Sequence, residues 1–174
     1  MPEGMQVRVL ERLGEHEIEG LSDVLMDCVA GGASVGFMSP MSRPKAVAYW
    51  REVSASVARG ERIVIVAEDV EGAIVGTVQL LLDVPENQLH RGDLAKMLVH
   101  RRARRRGLGA ALVAAAEDCA RSAGRTLLVL DTASGDAERL YRRLGWQRCG
   151  RIPGYALFPD GAPCATTIYF KSLR

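Results

Sequence analysis

The stretch "LAKMLVHRRARRRGLGAAL", residues 94–112, decides how the rest of the chain is read. It opens as a mostly apolar strand. Five arginines then fill six positions from Arg101 to Arg106, and Gly107 and Gly109 lead into an alanine-rich run that reads as a helix. The whole chain has a formal net charge of only +2, so the positive charge is concentrated here. The first backbone N–H groups of a helix have no intrahelical acceptor, and the helix dipole favours negative charge beside them. Gly107 and Gly109 remove side chains that would block a close approach. The segment therefore reads as a strand–loop–helix anion site, in which a diphosphate sits on bare amides with arginines as charge-matched forks.

Working outward, the strand is 92–100 and the helix 107–124, with Leu108, Leu112, Ala115 and Cys119 on one face. Residues 125–131, "RTLLVLD", have the nearly continuous apolar run of a central strand. A short helix over 134–145 closes at Gly145, and strands at 146–158 and 162–173 flank the turn "PDG". Upstream, 62–68 and 72–84 form a hairpin. Residues 16–32 and 44–60 are amphipathic helices, the first ended by Gly31 and Gly32, the second bounded by Pro44 and Gly60. Residues 6–13 are the first strand. The order β-α-α-β-β-β-α-β-α-β-β implies a mixed sheet with helices on its faces.

The 174 residues suggest one domain, 1–174, long enough to bury a core without disulfides or metals. A hydrophobic fraction of 48% and a charged fraction of 25% are those of an ordinary soluble protein. No apolar run reaches membrane-spanning length, and the acidic N-terminal stretch lacks a hydrophobic signal core, so a cytoplasmic protein without membrane partners is expected. Cys28, Cys119, Cys149 and Cys164 show no CxxC spacing, and the three histidines are scattered. Reduced thiols and no metal are expected. Nucleic acid is not an expected partner: only 5% of residues are aromatic, and charge away from the arginine run is balanced.

Three phosphate-loop patterns compete for 104–109. A Walker loop needs GxxxxGK[ST], which is absent. A dinucleotide fingerprint fails at Leu112 and requires glycines directly after the strand, where arginines stand instead. Arg104-x-x-Gly107-x-Gly109, however, resembles the Q/R-x-x-G-x-G/A motif of the GCN5-related N-acetyltransferases, and the order of elements from 62 to 171 is similar to that family's core. The resemblance implies an α/β fold of the acyl-CoA N-acyltransferase (GNAT) type, with a mixed central sheet of about seven strands flanked by about four helices. It further implies acetyl-CoA as co-substrate, its pyrophosphate held by Arg104, Arg105, Arg106, Gly107, Leu108, Gly109 and Ala110. The backbone of Leu98 and Val99, in a strand splayed at that point, would offer free N–H and C=O groups to the pantetheine arm and an oxyanion. Further pieces, "GGASVGFM" (31–38), "KMLV" (96–99), "RRGLG" (105–109), "LDT" (130–132), "PGYALFPDG" (153–161) and "TTIYFKSL" (166–173), resemble the tabtoxin-resistance branch of the family. That closer resemblance implies acetylation of the amino group of a small amino-acid-like β-lactam toxin.

Acetylation of an amine needs a proton acceptor for the amine, donors for the developing oxyanion, a proton for the leaving thiolate, and alignment. Asp93, on the strand before the arginines, is placed where the family often carries a general base. It is equally read as an exposed strand-end acid beside Arg91. Asp131 ends the central strand, facing the crevice where α/β sheets bind ligands, as a substrate-binding carboxylate or second base; otherwise it is a turn residue. The resemblance places Tyr141 at the coenzyme sulfur as the acid; otherwise it is a packed helix-face aromatic. The apolar loop "GASVGFMSPM" would cover the acceptor, with Phe37 toward the pocket and Met38 toward the core. The expected reaction is transfer of an acetyl group from acetyl-CoA to a primary amine of a small amino-acid-like molecule by direct attack. An acetyltransferase acting on a peptide or protein amine, and a non-catalytic acetyl-CoA sensor, are the alternatives. Monomer and homodimer are both left open.

Overall fold

The computed structural model describes residues 4–174. Strand β1 (Gln6–Leu10) is followed by helices α1 (Glu15–Ala30) and α2 (Arg43–Ala58), strands β2 (Arg62–Glu68), β3 (Ile74–Leu81) and β4 (Arg91–Val99), and helix α3 (Leu108–Ser122). Strand β5 (Leu127–Thr132), helix α4 (Gly135–Arg143) and strands β6 (Gln147–Leu157) and β7 (Pro163–Ser172) complete the chain. All seven strands form one sheet in the order β1-β2-β3-β4-β5-β7-β6. Only β4 and β5 run parallel, joined through α3 as a parallel pair requires.

The apolar spacing of α1 buries Ile18, Leu21, Val24, Leu25 and Cys28. These pack with Trp50 and Val53 of α2 against Val64, Val66 and Ile74 on one face of the sheet. On the other face, Leu108, Leu112, Val113 and Ala116 of α3 and Tyr141 of α4 pack on Ile65, Leu80, Leu128, Leu130 and Tyr169. Ser42 caps α2 by accepting a hydrogen bond from the Lys45 amide at 3.3 Å, with Pro44 in the first turn. The first strand ends at Leu10, short of the expected Leu13. Both leucines are buried, so the chain bends while keeping them in the core. Two 3-10 turns, Glu86–Gln88 and Arg101–Ala103, were not legible in the pattern.

Two irregularities open the sheet at its centre. Pairing between β4 and β5 covers only Arg91↔Leu127, Gly92↔Leu128 and Asp93↔Val129; beyond that point the strands part. They start close because Gly92 has no side chain: a Cβ there would lie 2.9 Å from Leu80 Cδ1 and 3.3 Å from Leu128 Cδ2. The β3–β4 register also slips between Thr77, which pairs with Leu98, and Gln79, which pairs with Ala95. One extra residue of β4 is absorbed there, and Lys96 takes a left-handed φ of 50°. Such a bulge bends a strand and redirects its side chains.

Candidate active site

The gap between the parted strands is the floor of a cleft of about 1030 Å³. Leu94–Val99 of β4 form one wall and Leu130–Ser134 the other. The start of α3 and the side of α4 close one end, and residues 31–36 with the β6–β7 region close the other.

The α3 end presents backbone amides without a side-chain cap. Gly107 is the N-cap, at φ 77°, and has no side chain to satisfy the amides that follow. The first intrahelical bond is Ala111 N–H to Gly107 C=O at 3.2 Å. Gly109 serves packing: a Cβ there would lie 2.9 Å from Leu140 Cδ2 and 3.2 Å from Met97 Cε. Gly107, Leu108, Gly109 and Ala110 all line the cleft.

The arginines divide into two sets. Arg101 is tied to Asp27 at the end of α1, through its amide at 2.8 Å and Nε at 3.0 Å. Burial pushes the Asp27 carboxyl up, but the hydrogen bonds from Arg101 outweigh it and hold the group below its ordinary range. Arg102 pairs with Asp69 at 3.4 Å. Arg104 Nε donates to the Val99 carbonyl at 3.0 Å, and the Cys28 thiol reaches the same oxygen at 3.6 Å. The Val99 C=O, expected to be free, is engaged; Arg104 braces the end of β4 while lining the cleft together with Val99. Arg105 lines the cleft, while Arg106 is not among the residues that do. Neither has a carboxylate within ion-pair distance among the described residues.

Tyr141 is 3% exposed and lines the cleft from α4, its ring tilted against Trp146 at 5.7 Å and Tyr169 at 6.1 Å between centroids. Burial, and then the negative charge of Asp131, raise its phenol well above the ordinary value of 10.0. The helix is held from behind. Glu117 of α3 accepts from Trp146 Nε1 at 3.0 Å and from Lys171 Nζ at 2.8 and 2.9 Å, and the same ammonium donates to the Leu144 carbonyl at 2.8 Å.

The two candidate carboxylates fall in different places. Asp131 is exposed in the cleft and accepts a hydrogen bond from the Thr166 hydroxyl at 2.6 Å. Asp93 does not line the cleft. It sits where β4 and β5 are still zipped, 3.2 Å from the Arg91 guanidinium, with burial raising its carboxyl despite the cation. Its Oδ1 is buried without a hydrogen bond. The position expected for a base on β4 thus lies one pair short of the opening.

At the other end, Ala33–Gly36 line the cleft. Phe37 does not: its ring meets Tyr49 edge-on at 5.2 Å and belongs to the α1–α2 core. The pocket placement of Phe37 and the core placement of Met38, which is 41% exposed, are both corrected. The loop turns there to follow α2, and Ser39 N–H bonds the Pro159 carbonyl at 3.0 Å. Sequence reasoning missed Lys96, Arg139, Arg143 and Thr166 as cleft residues. The i, i+4 spacing of Arg139 and Arg143 on α4 was a usable signal; Lys96 gave none, because the bulge that turns it is a tertiary effect. Among the described residues no cluster of three or more His, Cys, Asp or Glu could hold a metal, and no helix is long and apolar enough to cross a membrane.

A family model for the acetyltransferase (GNAT) domain matches residues 59–148, from the end of α2 to the start of β6. The chain is 31% identical over 148 residues to an uncharacterized N-acetyltransferase encoded in the hisH-hisA intergenic region of Azospirillum brasilense, covering 84% of this chain and 82% of that one. Among solved structures, the putative acetyltransferase yncA of Salmonella typhimurium with its cofactor acetyl-CoA superposes with a TM-score of 0.78 at 19% identity, covering 99% of this chain and 95% of that one. A phosphinothricin acetyltransferase from Sinorhizobium meliloti in complex with AcCoA gives a TM-score of 0.79 at 16% identity over 97% of this chain and 88% of that one.

Proposed function

The chain belongs to the GCN5-related N-acetyltransferase family and uses acetyl-CoA as acetyl donor, and from that premise we propose that it acetylates the primary amine of a small amino-acid-like molecule in the cytoplasm. The observation that carries this reading is the opening between β4 and β5, which joins an anion-binding helix start to a carboxylate within one cleft. Acetyl-CoA supplies an activated acyl group on a thiol leaving group; the rest falls to the chain.

The amides of Gly107–Ala110, with Arg105 beside them, hold the diphosphate. Arg143, also lining this end and without an acidic partner among the described residues, adds positive charge. The β5-facing edge of β4 around Leu98, left without a strand partner beyond Asp93, supplies backbone hydrogen bonds to the pantetheine arm and to the oxygen where charge develops. Asp131 takes a proton from the incoming ammonium, directly or through water, with Thr166 fixing one of its oxygens. Tyr141 keeps its proton at neutral pH because burial disfavours the phenolate, and gives it to the departing sulfur. The amine attacks the thioester directly. Cys28 is buried, its thiol is raised by desolvation, and it is engaged with Val99, so it is a poor nucleophile.

A small acceptor suits a cleft whose acceptor end is walled by residues 31–36 and the β6–β7 turn, which are stitched together by Ser34 to Leu157 at 3.2 Å and Cys164 to Ser34 at 3.3 Å. A β-lactam amino-acid toxin is one such acceptor, suggested by the sequence resemblance alone. Thiol release from acetyl-CoA, measured against a panel of amino acids, β-lactam amino acids, polyamines and short peptides, tests the reading. Turnover should appear with small amino acids or their analogues. Turnover confined to peptides, or none with any amine despite tight coenzyme binding, would overturn it.

A further inference from the structure

Lys96 stands out among the cleft residues. It occupies the β4 bulge in a left-handed conformation that a lysine rarely adopts, with φ at 50°. The bulge carries its side chain to the acceptor end. A Cβ placed on Gly36 would lie 3.6 Å from its Nζ, and the same ammonium lies 6.0 Å from the centroid of the Tyr49 ring. No protein carboxylate lies within ion-pair distance of it among the described residues, and no side-chain hydrogen bond holds it. The charged groups around it are Asp131, which favours its charge, and Arg62, which opposes it. Arg62 is already spent on Ser56 at 2.9 Å and on Gln79 at 2.7 Å, and Gln79 in turn donates to the Tyr49 hydroxyl at 3.0 Å.

One wall of the acceptor end thus presents a half-buried cation with no anion, and the opposite wall presents Asp131 with only a hydroxyl as partner. The two are in the same cleft yet too far apart to pair directly. A buried charge left alone is costly, and its free energy is recovered when a ligand of opposite sign arrives. Backbone held in a sparsely populated region often marks such a site. We infer that Lys96 binds the carboxylate of the acceptor while Asp131 receives its amine, so that the cleft selects amino acids over amines lacking an acidic group. This rests on the acetyl-transfer reading above and assigns its specificity.

The test compares lysine, methionine and glutamine with their carboxamides. In the wild type, kcat/KM should favour each acid over its amide. Lys96→Met should lower that acid-to-amide ratio at least roughly 30-fold, as loss of one member of a desolvated charge pair does. Lys96→Arg, which keeps the charge, should retain part of the preference. Coenzyme A affinity, measured by calorimetry, checks that both variants are folded. Calorimetric binding of the same acids and amides to the protein saturated with coenzyme A is measured alongside, so that the ligand charge requirement is read without turnover. Acid-selective binding that Lys96→Met abolishes supports the inference even if no thiol is released, in which case only the acetyl-transfer reading fails. An unchanged ratio in Lys96→Met, equal recognition of acid and amide by the wild type, or binding of neither overturns it.

Discussion

Tyr141 illustrates how one residue can carry both readings weighed from the sequence. It is packed among the aromatic rings of Trp146 and Tyr169, and it lines the cleft. Packing is what raises its phenol, and the raised phenol is what keeps a proton available. Tyr141→Phe removes one oxygen from a site already apolar, so the fold should hold. The expected outcome is a fall in kcat of roughly 100-fold with the coenzyme dissociation constant unchanged. Because Tyr141 stays protonated past its ordinary range, the wild-type pH–rate profile should rise as the amine loses its proton, with no falling limb below about pH 10. A falling limb at pH 8 that vanishes in Tyr141→Phe would contradict the role. Lys96 has the opposite sign. Burial holds its pKa in the folded protein below the unfolded value of 10.5, so the folded state binds fewer protons between those two values. Stability therefore rises with pH through that window, and its charge costs stability at neutral pH. Lys96→Met should raise Tm, measured by calorimetry at pH 7, while weakening acceptor recognition.

Among the elements, α4 and β4 matter most, and they were unequally legible. Apolar periodicity placed every helix and strand to within a few residues, because the pattern that buries Leu21, Leu25, Leu108 and Leu112 is local in sequence. The bulge at Lys96 and the parting of β4 from β5 are not local. They depend on which strands become neighbours, and so on Gly92 fitting between Leu80 and Leu128. Asp93 carried two equal readings, a base implied by the resemblance and a strand-end acid beside Arg91; it lies outside the cleft, paired with Arg91, because strand alternation gives a face but not the point where pairing ends. Within the arginine run, Asp27 and Asp69 claim Arg101 and Arg102 through contacts distant in sequence, and the nearby Val99 carbonyl engages Arg104. The bracing of α4 was equally hidden. Glu117 is nearly buried and binds both Trp146 and Lys171. Glu117→Ala leaves the Lys171 ammonium without its carboxylate and should cost about 3 kcal/mol of unfolding free energy in urea. A loss below about 0.5 kcal/mol would show that the pair behaves as an exposed surface bridge.

On the scale of the whole molecule, the sheet is a seven-stranded platform divided at its middle. The α1–α2 and α3–α4 layers each close one face, and the cleft proposed for the chemistry lies where the two central strands diverge. The cleft there has two ends, to which the proposed function assigns the two ligands: the helix start of α3, and the 31–36 loop with the β6–β7 region. The strand, the turn without side chains and the helix start were readable from residues 94–112 because they are contiguous. At the other end only Asp131 was singled out, because Lys96, Thr166 and Gly36 join it from three further segments.

The central claim is that bare amides at the start of α3 grip the diphosphate, and the most direct measurement is the calorimetric dissociation constant of coenzyme A for the wild type and for Gly107→Val. Gly107 has open space around it, so the substitution touches no packed neighbour but cannot keep the φ of 77° that sets the turn. The expected result is at least about tenfold weaker binding, worth roughly 1.4 kcal/mol, in a variant that remains folded by circular dichroism. Unchanged affinity in the folded variant would contradict the claim and move the diphosphate away from this turn.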